Sequence, residues 1–250
     1  MAPLTDATDA YEFPLSQGMS ALLGLEELAA CLTRARESAD IHWTHLVATR
    51  LGARLSALGP EGLDQTLLPE AQQWIAFLDA VAERPAADGG KVARMRGALQ
   101  RLTDRLATDW PDYFRCLERD PWLAPYSDAG NTEGLRPSPR LWAALERTDL
   151  ESRLESWEQR LEPLATLAEA VLRLTRDSLQ WQELTIPPQG VPVALPAEPA
   201  TGLVQVQTAD NRHVPGISGL TTVPTLRLLT TPEMAAPDGD IPLQVGWFTL

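Results

Sequence analysis

Through the first two thirds of the chain, apolar residues recur every three or four positions. Near its end they recur every second position. The first spacing places side chains on one face of an α-helix and the second on one face of a strand. Residues 16–37 carry Leu22, Leu25, Leu28, Ala29 and Leu32 at helical spacing, with Ser16 placed to cap the first turn and Phe13 or Leu15 placed to pack onto it. Further helices are predicted over 41–58, 63–83 and 91–108, then a short one through Leu117, then two at 138–147 and 149–182. Pro163 is expected to kink or divide the last of these. The stretch DPWLAPYSDAGNTEGLRPSP, 120–139, reads as a long loop by its proline, glycine and asparagine.

Near residue 186 the pattern changes. IPPQGVPVALPAEPATG is too proline-rich to be helical, and LVQVQT, TLRLLTT and IPLQVGWFTL then alternate as half-buried strands. The order of helices followed by strands predicts an α+β fold. A helical domain of about seven helices would span 16–185, and a smaller antiparallel β domain 186–250. Residues 1–15 would be an extended segment joining the β domain.

Charge narrows the possible partners. The 250 residues include 34 acidic and 21 basic side chains, a net of −13, and Lys91 is the single lysine. Such a surface repels phosphate backbones, so nucleic acid is not an expected partner. No apolar run reaches the ~20 residues that span a bilayer, so membrane insertion is not expected. The opening MAPLTDATDAYEF has neither the basic nor the apolar region of a signal peptide. Cys31 and Cys116 sit in helical segments and read as buried thiols of a reducing cytoplasm.

Candidate chemistry is sparse. His42 and His45 in IHWTH share a helix face, but they are three apart rather than four and lack a third ligand nearby, so no metal is expected. No G-x-S-x-G, phosphate-binding or dinucleotide-binding glycine motif occurs, and Cys116 beside Arg115 has no histidine close in sequence. No catalytic residue or cofactor is expected. Arg94, Arg101 and Arg105 form a stripe on the 91–108 helix. It reads either as a solvated face, with ion pairs from Asp104 to Arg101 or Arg105, or as a basic patch able to hold an acidic peptide. Trp142 and Trp157 fall at apolar helical positions, whereas Trp122, between prolines, is a candidate recognition residue.

Three stretches in order resemble the ZapD family of bacterial division-ring-associated proteins. They are YEFPLSQGMSALLGLEELAACLT, the long RLWAALERTDLESRLESWEQRLEPLATLAEAVLRLTRDS segment, and VPGISG followed by a strand bearing Arg227. The resemblance implies a non-enzymatic cytoplasmic homodimer at the division site. Such a protein binds the C-terminal tail of FtsZ and bundles its filaments through a basic pocket. Carried onto this sequence, it points to Arg140, just before Leu141-Trp142, and to Arg227, with Arg212 as an outer candidate. After I-S-G the family usually carries His, Lys and Arg, where this chain has LTTVPTLR. The same fold with a changed partner, or an enzyme with an unrecognised carboxylate pair, are the alternative readings.

Overall fold

The computed structural model describes residues 10–38, 40–85, 88–126, 147–186, 193–194, 202–208, 214–218, 225–229 and 241–247. The chain divides into two compact units, residues 21–172 and residues 1–20 with 173–250.

In the described residues, five helices are fifteen residues long or more, two fewer than the periodicity suggests. They are α1 (Gln17–Ser38), α2 (Ile41–Leu58), α3 (Leu68–Ala82), α4 (Gly89–Glu118) and α5 (Arg147–Asp177). The difference has a clear cause. The predicted helix over 91–108 and the short helix after it are one element, α4, which runs through Pro111, and α5 is not divided at Pro163. An interior proline costs about 3 kcal/mol by removing a donor and crowding the preceding turn. Burial on both sides offsets it: Leu106, Trp110 and Leu117 in α4, and Leu161, Leu164 and Leu167 in α5, are each 3% exposed or less. Most of the segment predicted as a helix over 138–147, including Trp142, lies outside the described residues.

Each helix of the 21–172 unit buries the face that its spacing marks. On α1 this is Leu22, Leu25, Leu28 and Leu32, and on α2 Leu51, Leu55 and Leu58; there Ile41 and Leu46, which the spacing also marks, are only half-buried, and Val47 is buried instead. Of the two cysteines expected to be buried, Cys31 is, whereas Cys116 is exposed on α4. Between α2 and α3 the chain turns through a helical turn at Pro60–Gly62 and a π turn at Leu63–Leu67. Gly62 permits the close approach there, since a Cβ on it would lie 2.0 Å from the Ala57 carbonyl oxygen. The Trp110 indole donates to the Leu58 carbonyl at 2.7 Å, tying α4 to the end of α2.

The last helix ends at Asp177, and a strand, β2 (Gln180–Ile186), begins where the spacing still predicts helix. The other strands are β1 (Ala10–Pro14), β3 (Val193–Ala194), β4 (Leu203–Thr208), β5 (Val214–Ser218), β6 (Thr225–Leu229) and β7 (Ile241–Trp247). They form two antiparallel sheets, in the orders β1-β4-β7-β2 and β3-β6-β5. Phe13 is in register with Val204, and Leu184 with Leu243. Alternation sorts the side chains: Val204, Val206, Leu243 and Val245 join Ile186, Ile241 and Leu226 in one apolar core, while Gln205 and Gln207 point to the opposite face. At the start of α1 the Ser16 hydroxyl accepts from the Met19 amide at 2.9 Å, the cap that the sequence predicts.

Candidate functional site

The three arginines predicted to hold a partner are placed as follows. Arg227 lies on β6, in register with Gly216 of β5; its side chain is outside the described residues. Arg140 and Arg212 lie outside the described residues altogether.

The 21–172 unit offers a polar corner built where α4 ends. Asp120 is the hub. Its carboxylate accepts from Arg153 Nη1 at 2.8 and 3.0 Å, from the Trp157 indole at 2.8 Å and from the Trp122 amide at 2.8 Å. Its backbone carbonyl accepts from the amides of Leu123 and Ala124. Arg153 and Trp157 are four apart, so one face of α5 brings both to the same carboxylate. The Arg153 guanidinium also stacks 5.3 Å from the centre of the Trp122 ring. Trp122, the predicted recognition residue, is half-buried under this arginine. Trp157 is fully buried, as its spacing suggests. Beside the corner lies a cleft of about 290 Å³ lined by Trp122, Asp149, Leu150, Ser152, Arg153 and Ser156. It presents an indole, two hydroxyls, the Asp149 carboxylate and a guanidinium already paired with Asp120, a polar lining of balanced charge.

A second concavity, of about 460 Å³, runs between α1 and α5. Leu25, Leu28, Leu32 and Leu161 floor it, and Glu26, Glu158, Glu162 and Glu169 rim it. Arg36 of α1 pairs with Glu158 of α5 across it.

In the other unit, the face of the four-stranded sheet opposite the apolar core is polar. Arg176, in the last turn of α5, grips Glu12 of β1 with Nε and Nη2, each at 2.7 Å, and the Gln205 side-chain amide donates to the same carboxylate. Burial pushes the Glu12 carboxyl up, but the hydrogen bonds from Arg176 and Gln205 and the charge of Arg176 outweigh it, leaving the group below its ordinary value.

The histidine pair gathers no metal-binding cluster among the described residues. The amide of His42 donates to Asp40, and the ring of His45 stands edge-on to Tyr126, 5.6 Å between centres. The stripe on α4 differs from its predicted pairing. Arg105 pairs with Asp109 and with Glu162 of α5, both at 3.5 Å, while Asp104 accepts from Gln100 instead. The Asp120 hub and the Glu12–Arg176 pair escape sequence reading, because each joins residues distant along the chain. The one local sign was Asp120 before Pro121, a turn-forming pair at a helix end.

These features describe an α+β protein with a separate helical unit, charged clefts and no helix among the described residues long and apolar enough to cross a membrane. The family model for ZapD, cell division protein, matches residues 23–227. Cell division protein ZapD from two strains of Coxiella burnetii, RSA 331 / Henzerling II and RSA 493 / Nine Mile phase I, is similar to this chain. Each is 25% identical over 183 residues, covering 71% of this chain and 70% of the relative. The chain belongs to the ZapD family of cell division proteins.

Proposed function

We propose that this protein is a non-enzymatic regulator of cytoplasmic cell division that binds the C-terminal tail of FtsZ and, as a homodimer, cross-links FtsZ filaments at the division ring. The observation that carries this reading is the family match across residues 23–227, which takes in both helical and strand segments. Arg140, Arg227 and Arg212 donate charge-assisted hydrogen bonds to tail carboxylates. Two tails held by one dimer gain avidity, because the second binds at high effective concentration.

Co-sedimentation with FtsZ from the same organism at rising salt tests it. Bundles form at low salt and dissolve as salt screens the arginines. Failure to pellet with FtsZ or to bundle it at low salt overturns the reading. Replacing Arg227 by alanine weakens tail affinity; unchanged affinity removes that residue from the site.

A second reading, the same fold with a changed partner, is favoured by the run LTTVPTLR, which holds one cation, and by the net charge of −13. A pull-down whose dominant partner is a protein other than FtsZ supports it.

A further inference from the structure

The groove between α1 and α5 contains none of the arginines assigned to the FtsZ tail. Small residues keep it open: Ala29 on α1 and Ala165 on α5 stand half-buried in its lining. The leucines of its floor, Leu25, Leu28, Leu32 and Leu161, are each 3% exposed or less, so the unit's own packing holds the floor in place. Lining positions run over 25–33 of α1 and 158–169 of α5. At 1.5 Å per residue the trough is roughly 12–16 Å long, which is two to three turns of a helix.

Every charged side chain in that lining is a carboxylate: Glu26 on α1, and Glu158, Glu162 and Glu169 on α5. The three on α5 are spaced by four and seven and so lie along one helix face. Two cations answer them from outside the lining. Arg36 pairs with Glu158, and Arg105 with Glu162 at 3.5 Å. Four carboxylates against two guanidiniums leave an excess of negative charge. Both arginines are nearly half exposed, and ion pairs so open to water exchange partners readily. Glu169 is exposed and has no ion pair among the described residues.

An apolar trough between two helices accepts a third helix, and carboxylates along its edge select one with cationic flanks. We propose that this groove docks a basic amphipathic helix of another protein. Apolar side chains at i, i+3 or i+4, and i+7 seat over Ala29 and Ala165, and lysines or arginines beside them meet Glu162 and Glu169. A second copy of this chain does not supply such a helix from its described residues. Their exposed large hydrophobic side chains, Trp181 and Val214, both lie on strands.

The test uses the full chain and a fluorescein-labelled leucine–lysine amphipathic helix of about eighteen residues, with a peptide of the same composition in scrambled order as control. Fluorescence anisotropy reads binding. The wild type binds the amphipathic peptide, releases it as salt rises, and holds the scrambled one about tenfold more weakly. Glu162→Lys/Glu169→Lys weakens binding about tenfold. Ala29→Trp or Ala165→Trp, whichever retains the far-ultraviolet spectrum of the wild type, fills the groove without changing charge and weakens binding as well. Glu151→Lys/Glu155→Lys makes the same charge change elsewhere on α5 and binds as the wild type does. Equal binding of the two peptides, or an equal loss in both lysine variants, reduces the effect to the protein's net charge and overturns the proposal. A folded groove variant with wild-type affinity overturns it too. So does a groove variant whose molar mass changes, because a second copy then occupies the groove. Arg227→Ala leaves peptide affinity unchanged, so this proposal and the FtsZ reading fail separately.

Discussion

The indole of Trp157 donates to the carboxylate of Asp120, 2.8 Å away and thirty-seven residues earlier, and that carboxylate also holds Arg153. One acid thus fixes the end of α4 to the middle of α5. Replacing Asp120 by alanine strands a buried indole N–H and a guanidinium that is only about a third exposed. The expected loss is about 3 kcal/mol, read as a lower urea midpoint at unchanged slope. Asparagine at the same position keeps an acceptor and costs about half as much.

Glu12 is held below its ordinary value in the folded state. A depressed carboxyl contributes stability that is present above its unfolded value, near 4.3, and is lost as pH falls through its folded value. The melting temperature of the wild type therefore falls on its acid side. Glu12→Gln lowers it at neutral pH and flattens that acid limb, so the curves converge as pH drops. Parallel curves would show that the Arg176 pair contributes nothing.

Gly62 has no room for a side chain, because an added Cβ would meet backbone rather than a movable side chain. Gly62→Ala forces the turn between α2 and α3 apart and costs about 2–4 kcal/mol. A thermal melt measures it, with Gly89→Ala as the control, since that position has open space around it.

The cap at Ser16 predicts a smaller effect. Ser16→Ala removes the acceptor for the Met19 amide and destabilises by about 1 kcal/mol, whereas Ser16→Asp retains it. Amide exchange at Met19 reports the loss locally.

Much of the helical half was legible in the sequence. Leu22, Leu25, Leu28 and Leu32 on α1 and Leu161, Leu164 and Leu167 on α5 are the residues that the spacing selects and the fold buries. The end of α5 was less legible, because Gln180, Trp181 and Gln182 suit either a helix or an edge strand. Pairing of Trp181 with Gly246 and Gln182 with Val245 decides for the strand. The candidate site was hardest to read. Arg153 looks like any surface arginine until Asp120 and Trp122 are brought beside it.

What the sequence determined by itself is the period: three to four where helices form, two where strands form, and the serine that starts α1. These are properties of neighbours within a turn or a pleat, so the chain carries them locally. Tertiary structure alone decided that β1 lies against β4, that α4 runs on through Pro111, and that Glu12 meets Arg176 across 164 residues of chain. Each of those depends on which distant surface removes it from water, and burial of that kind is settled only when the whole chain packs.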